Sequence, residues 1–153
     1  MDLPERKQNR LENYDYSQNG AYFITICTKE RKKILCEIVG ANIVRPKLTR
    51  YGKIVDDAIN LITNHYQTVT IDKYVIMPDH IHLLLQIHSD RRTMFAPTIE
   101  RIVKQTKGYI TKQIGFSIFQ RSYYDHVIRN QEDYNEIWEY IDNNPKKWLI
   151  NKT

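Results

Sequence analysis

Cysteine, glycine and proline are all scarce in this sequence. Its two cysteines, Cys27 and Cys36, are too few for a disulfide framework and are not spaced as a zinc-binding pair. Five glycines and five prolines leave no flexible linker or low-complexity tract. No run approaches the roughly 18 apolar residues of a membrane span, and residues 1–7 lack the apolar core of a signal peptide. These absences predict a cytoplasmic globular protein with no membrane partner.

Positively charged residues outnumber negatively charged ones. Lysine and arginine number 23 against 18 aspartates and glutamates, which gives a net charge of +5 and a pI of about 9.1. This excess favours a polyanionic partner, although it is weak on its own because many basic proteins bind no nucleic acid. Residues 1–20, with Arg6, Lys7 and Arg10, are predicted to form a basic arm that leads into one domain of residues 21–153.

The hydrophobic pattern alternates between strand and helix periods. Strands are predicted at 22–28, 73–77 and 80–88, and a strand region interrupted near 40–42 is predicted at 34–49. Helices are predicted at 49–66, 99–114 and 132–144, with a short element at 119–127 before the last helix. Pro145 is expected to end that helix, because proline disfavours helical backbone in the residue before it. Strand pairs separated by helices predict an α+β fold, with a largely antiparallel sheet covered by helices.

Two histidines lie in the strand predicted at 80–88. Side chains alternate between the two faces of a strand, so Ile81, Leu83 and Leu85 form an apolar face, while His80 and His82 share the other. Two imidazoles at that spacing can bind one divalent metal ion. The alternative is a pair of surface histidines, since short motifs often occur by chance. A His-x-His-x-His nucleotide hydrolase would need a third histidine where Leu84 stands.

The last predicted helix carries a phenol and an amide on one side. Tyr140 and Asn144 are four residues apart and therefore neighbours on the helix surface. An amide oxygen can ligate a hard cation, and a phenolate can attack phosphorus. Taken alone, Tyr140 is more simply one of eleven packed tyrosines, and Asn144 could be a helix C-cap.

Taken together, these segments resemble the REP-associated tyrosine transposases, which are related to the small single-tyrosine insertion-sequence (IS200-like) transposases of the HUH endonuclease superfamily. The resemblance covers nearly the whole chain and is carried by residues 6–11, 14–17, 20–28, 75–82, 120–130 and 140–145. It implies a ferredoxin/RRM-like HUH fold with the tyrosine on a C-terminal helix. It also implies a prokaryotic protein that is cytoplasmic and nucleoid-associated. Asp79 departs from the pattern, in which asparagine is expected before the first histidine.

The resemblance also implies a mechanism. Tyr140 would be the nucleophile, and His80, His82 and Asn144 would bind Mg²⁺ or Mn²⁺. The enzyme would cleave and rejoin single-stranded DNA beside a hairpin from a palindromic repeat, through a covalent 5′-phosphotyrosine. Family members act as monomers or as homodimers with the tyrosine in trans, and both remain open here.

The expected DNA contacts are basic residues, and two aromatic positions offer alternatives. Arg101, Lys104 and Lys107 recur at steps of three along the second long helix and could contact phosphates. A solvated charged face explains them equally well. The remaining candidates are Lys7 and Arg10 in the arm, and Arg121. Tyr124 is the second choice of nucleophile, in a cluster with Tyr123 and His126 that could stack on bases or pack under the sheet.

Two functions of other classes compete with transposition. A domesticated, sequence-specific DNA-binding protein would keep the fold without cutting DNA. A metal-dependent nucleotide phosphohydrolase would use His80 and His82 without a covalent step, so its activity would survive Tyr140→Phe. A purely structural role leaves the coincidence of the histidine strand and the Tyr140–Asn144 pair unexplained.

Overall fold

The computed structural model describes residues 20–40, 44–88 and 97–151. Lys7, Arg10 and the rest of the predicted arm before residue 20 lie outside these ranges. The elements, in chain order, are β1 (Gly20–Cys27), a short 3-10 turn (Lys29–Arg31), β2 (Cys36–Val39), β3 (Arg45–Leu48), α1 (Arg50–His65), β4 (Val69–Ile76), β5 (His80–Ile87), α2 (Ile99–Ile114), β6 (Tyr124–Ile128) and α3 (Gln131–Asn151). None of the helices in these ranges is long and apolar enough to cross a membrane.

Four strands form the main sheet in the order β4-β5-β1-β6, and all of its neighbours are antiparallel. Two connections within this sheet run through helices, α1 between β1 and β4 and α2 between β5 and β6. This is the ferredoxin-like arrangement, so the predicted α+β fold is confirmed. Strands β2 and β3 pair separately as a hairpin.

Each face of the main sheet is covered by a different helical layer. On one face, Ile81, Leu83 and Leu85 pack in a core with residues of α1 and α2. On the other face, Phe23 and Leu84 pack in a second cluster with residues of α3. The predicted alternation along β5 is confirmed. However, the face expected to be polar is an interior surface that lies beneath α3.

The ends of α1 and α2 follow local rules. Thr49 and Thr98 are the N-caps, and their side chains accept hydrogen bonds from Gly52 N and Arg101 N. Gly115 ends α2 with a φ of 101°, a left-handed conformation that suits glycine. The ends expected at residues 49–66 and 99–114 agree with these helices to within one residue.

The expected end of the last helix at residue 144 is wrong, because α3 continues through Pro145 to Asn151. Proline in a helix interior removes a hydrogen bond and costs about 3 kcal/mol. Asn144 and Pro145 are both buried, and Trp148 in the next turn packs on the second apolar cluster. Burial of a large apolar side chain contributes roughly 1.5–3 kcal/mol, so tertiary packing offsets the proline.

Candidate active site

The two histidines of β5 lie side by side beneath α3. Their ring centroids are 4.6 Å apart, and the residues are 5% exposed (His80) and 0% exposed (His82). The prediction that they share one face is confirmed by the strand pairing, which sets Cys27 opposite His80 and Thr25 opposite His82 on the same side of the sheet. They are therefore not the surface pair of the alternative interpretation.

In each imidazole ring, one nitrogen lies within hydrogen-bond distance of another side chain and the other nitrogen does not. His80 Nδ1 lies 2.6 Å from Asp79 Oδ1, and His82 Nδ1 lies 2.8 Å from Thr25 Oγ1. Both Nε2 atoms are buried and have no hydrogen-bond partner among the described residues. Buried polar atoms without partners are rare in native proteins because each costs about 1–3 kcal/mol. Two such nitrogens on adjacent rings indicate a site for a ligand.

The helix α3 brings a phenol and an amide to these rings. The ring centroid of Tyr140 is 5.3 Å from that of His82 and 6.0 Å from that of Phe23. Asn144 is 8% exposed, and its Oδ1 is a third buried atom without a hydrogen-bond partner in the described part of the chain. His80, Tyr140 and Asn144 line one cavity of about 180 Å³. The structure thus brings the four predicted residues together within a single chain.

Contacts with β4 hold α3 in this position. Tyr134 donates a hydrogen bond to Asp72 Oδ2 over 2.7 Å, and Gln86 donates to the same oxygen over 2.6 Å. Lys73 Nζ lies 4.4 Å from the centroid of the Trp138 ring and 3.0 Å from Asp142 Oδ1. These contacts fix the first half of the helix, which determines where Tyr140 lies.

The donor set is compatible with one divalent metal ion. Within the described ranges, no group of three His, Cys, Asp or Glu side chains could bind a metal. The third donor would therefore be an amide oxygen, that of Asn144. Imidazole nitrogens suit transition metals, and amide oxygens suit harder cations such as Mg²⁺ and Mn²⁺. Mn²⁺ accepts both kinds of donor, so the three unpartnered atoms fit it better than they fit Mg²⁺.

Electrostatics around the histidines favour a neutral ring at His82 and an ionised carboxylate at Asp79. Burial, together with the nearby His80 and Arg31, holds the pKa of His82 well below its ordinary value. Burial raises the pKa of Asp79, but hydrogen bonds from His80 and Arg31 outweigh that effect and keep it below its ordinary value. A neutral imidazole is the form that binds metals.

The sequence-based prediction missed several residues around this site. Thr25 could have been found by alternation along β1, because it faces His82 across the strand pair. Arg31 gives no sequence signal of its contact with Asp79, since that contact depends on a turn with positive φ at residues 30 and 31. Lys147 and Trp148 line the cavity one helical turn beyond the expected helix end.

The predicted DNA-binding residues on α2 lie away from the cavity. Helix α2 packs on the sheet face opposite α3, and its Arg101 and Lys104 are exposed there. Lys107 Nζ donates to the backbone carbonyls of residues 120, 121 and 122 at 2.7, 3.3 and 3.3 Å. These hydrogen bonds of Lys107 stabilise the loop at residues 120–122, in which the side chain of Arg121 is exposed. A DNA contact at any of these positions stays a prediction.

The aromatic cluster before the last helix is divided between the two faces of the sheet. Tyr123 belongs to the core beneath α1 and α2. Tyr124 pairs with Thr25, and His126 pairs with Phe23, so both lie on the same face of the sheet as His80 and His82. His126 Nε2 is 2.7 Å from Asp133 Oδ2 at the start of α3.

Comparisons with known proteins agree with this architecture, although no family model matches the chain. An uncharacterised protein of Haemophilus influenzae is 32% identical over 95% of this chain and 91% of its own length. A second protein of that organism, provisionally named a REP-associated tyrosine transposase, is 28% identical over 90% of this chain and 77% of its own length.

Two solved structures share the fold. A REP-associated tyrosine transposase bound to a REP hairpin matches with a TM-score of 0.67 and 22% identity, over 90% of this chain and 73% of that one. A protein of Deinococcus radiodurans, provisionally described as a transposase, matches with a TM-score of 0.51 and 19% identity, over 88% of this chain and 95% of that one. The chain is thus similar in sequence and in fold to REP-associated tyrosine transposases.

Proposed function

We propose that this protein cleaves and rejoins single-stranded DNA beside a hairpin, with Tyr140 as nucleophile and a divalent metal ion at His80, His82 and Asn144. The observation that carries the proposal is the set of three buried, unpartnered atoms, His80 Nε2, His82 Nε2 and Asn144 Oδ1, next to the Tyr140 ring. The hairpin substrate is inferred from the relative that was solved with a REP hairpin.

The reaction is a transfer of the phosphoryl group between oxygens. Tyr140 Oη attacks the scissile phosphorus, its P–O bond forms as the bond to the 3′ oxygen breaks, and that oxygen leaves as a 3′ hydroxyl after it gains a proton. The phenolic proton is lost to solvent. A divalent metal, when bound, neutralises charge on the phosphate oxygens. Because the phosphotyrosine keeps the energy of the broken bond, a second 3′ hydroxyl can attack it and join new ends.

The test is a covalent-adduct assay on the whole chain. Labelled hairpins with single-stranded flanks, taken from the DNA around the gene, are incubated with the protein and Mn²⁺, and the products are separated on a denaturing protein gel. We expect a shifted labelled band that requires Mn²⁺, disappears in Tyr140→Phe and persists in the matched variant Tyr124→Phe. An adduct lost only in Tyr124→Phe would mean that the nucleophile is misassigned. Hairpin binding without any adduct would favour a DNA-binding protein that does not cleave.

We also propose that one chain supplies a complete active site in cis. Tyr140 and both histidines lie together within the same molecule, and the contacts of α3 with β4 hold them there. Mixing Tyr140→Phe with His82→Gln separates the two arrangements. A trans site would regain activity in the mixture, because one hybrid site would contain both intact parts, whereas a cis site stays inactive.

A further inference from the structure

The turn after β1 is bound to the end of the strand that carries the histidines. Thr28 donates from its N and Oγ1 to Asp79 O, at 3.0 and 3.1 Å, and Arg31 Nε donates to Asp79 Oδ2 at 3.1 Å. Glu30 and Arg31 have φ values of 56° and 54°, a conformation that costs of order 1–3 kcal/mol for residues other than glycine. The contacts with Asp79 offset this cost, so the turn and the strand end form one unit.

The two carboxylate oxygens of Asp79 contact different side chains, the guanidinium of Arg31 and the ring of His80. Oδ2 accepts from Arg31, and Oδ1 lies 2.6 Å from His80 Nδ1. A carboxylate paired with an arginine can only accept hydrogen bonds, so the proton of this contact belongs to His80 Nδ1. In the neutral form of the ring, Nε2 is then the nitrogen that carries the lone pair. His82 differs, because its Nδ1 faces the hydroxyl of Thr25, which can either donate or accept.

We propose that Arg31 and Asp79 are positioning residues that hold His80 in its Nδ1–H tautomer, so that Nε2 is ready to bind a metal ion before the ion arrives. The inference rests on the proposed function in taking His80 as a metal ligand. Outer contacts of this kind orient a ligand and raise its basicity, and their loss lowers metal affinity about 10–100-fold.

The tautomer can be measured in metal-free protein. Long-range ¹H–¹⁵N spectra of protein labelled at histidine distinguish Nδ1–H from Nε2–H, and His→Gln variants assign the signals. We expect Nδ1–H at His80 in the wild type and a shift towards Nε2–H in Asp79→Ala and, more weakly, in Arg31→Gln. The signals of His82 should stay unchanged and show that the fold is intact. An Nε2–H tautomer in the wild type, or no change in Asp79→Ala, would overturn the inference.

Metal affinity gives a second readout, from Mn²⁺ binding measured by electron paramagnetic resonance. We expect Asp79→Ala to bind about 10–100-fold more weakly and Asp79→Asn, which keeps an acceptor oxygen, to lose less. The matched control is Asp56→Asn, because Asp56 also accepts a side-chain hydrogen bond, from Tyr74 Oη at 2.6 Å, but belongs to α1, which packs on the sheet face opposite the histidines. Equal affinity in wild type and Asp79→Ala would contradict the inference. Absence of Mn²⁺ binding by the wild type would instead count against the proposed function.

A second, independent inference concerns positive charge around the cavity. Four of the five residues at 29–33 are basic and exposed: Lys29, Arg31, Lys32 and Lys33. The turn lies at the His80 end of the sheet, and Lys33 Nζ is 5.6 Å from the centroid of the Trp148 ring, which is itself 6.4 Å from that of His80. Lys147 lines the cavity from the side of α3.

We infer that this basic rim, Lys29, Lys32, Lys33 and Lys147, binds the backbone of the single strand whose scissile phosphate enters the cavity. Phosphate contacts position a strand without reading its sequence. Lys33 approaches Trp148, which lines the cavity together with Lys147, whereas the cations on α2 belong to the layer on the opposite face of the sheet. The inference deepens the proposed function by assigning the path of the DNA.

The test compares two sets of three neutralised cations. One variant carries Lys29→Gln, Lys32→Gln and Lys33→Gln, and its matched control carries Lys53→Gln, Lys112→Gln and Arg129→Gln, three exposed cations outside the rim and outside the predicted DNA contacts. Fluorescence anisotropy with a labelled single-stranded oligonucleotide is recorded over a range of salt concentrations. We expect the slope of log K against log salt to fall by about 2 in the rim variant, at about 0.7 per cation, and to stay unchanged in the control. An unchanged slope in the rim variant would refute the inference, while lack of binding by the wild type would count against the proposed function.

Discussion

Substitution of Asn144 should make the metal-free protein more stable and its metal response smaller. Asn144 Oδ1 is buried without a hydrogen bond beside an open cavity of about 180 Å³. Asn144→Leu replaces the amide by apolar atoms and removes a penalty of about 1–3 kcal/mol. For a domain of this size, 1 kcal/mol shifts the Tm by roughly 2–4 °C. Allowing for imperfect packing of leucine, we expect a gain of about 1–2 kcal/mol and a Tm about 2–8 °C higher in chelator.

The stabilisation by metal should be smaller in Asn144→Leu than in the wild type, although the metal-free variant is more stable. A ligand at 100 times its Kd stabilises the native state by about 2.7 kcal/mol, or roughly 5–11 °C here. Wild-type protein should show this shift with Mn²⁺, and Asn144→Leu should lose most of it. Differential scanning fluorimetry with Mn²⁺ and with chelator measures both effects.

A matched control comes from the neighbouring residue. Asn143 is exposed, so Asn143→Leu should change stability by less than about 0.5 kcal/mol and should keep the full metal shift. The reasoning is refuted if Asn144→Leu lowers the Tm in chelator while Asn143→Leu does not. It is equally refuted if Asn144→Leu responds to Mn²⁺ as the wild type does.

The remaining predictions concern stability away from the cavity. Gly108 has open space around its Cβ position, so Gly108→Ala should stabilise α2 by about 0.5–1 kcal/mol in urea unfolding. A Cβ on Gly52 would lie 2.0 Å from Leu35 O, so Gly52→Ala should destabilise by at least about 1–3 kcal/mol in the same assay, and a neutral result would contradict the close approach. Burial raises the pKa of Cys36 to about 12 from 9.0. The folded state therefore keeps a proton that the unfolded chain loses above pH 9, and stability should fall as the pH rises from 9 to 12. In pH-dependent urea titrations, Cys36→Ala should reduce this slope by up to about 1.4 kcal/mol per pH unit, and an unchanged slope would show that another group causes the loss.

The parts of the site that follow from local periodicity could be predicted from the sequence. Alternation placed His80 and His82 on one face, and helical spacing placed Tyr140 beside Asn144. That the two pairs meet follows from the family resemblance and from tertiary packing, because no local pattern shows that α3 covers this face of the sheet.

The failures have tertiary causes. Pro145 is a strong local stop signal, yet α3 continues because its second half is buried against the sheet and the hairpin. Strand β4 begins at Val69, four residues before its expected start, and a register shift between Ile71 and Lys73 interrupts the alternation that would have revealed it. The contacts of the Lys107 ammonium with the carbonyls of residues 120–122 are likewise tertiary and are not revealed by helical spacing, while its DNA contact stays a prediction.

The order of the elements along the chain also has a consequence for biosynthesis. Tyr140, the proposed nucleophile, is on α3 and follows His80 of β5 by 60 residues. At about 5–20 residues per second, the ribosome adds the tyrosine roughly 3–12 s after the histidine. During that interval a nascent chain lacks the proposed nucleophile, and the apolar face formed by Phe23 and Leu84 is not yet covered by α3. Under the proposed mechanism, a translation product broken off before α3 would be unable to cleave DNA and, with this face exposed, would be prone to aggregation and degradation.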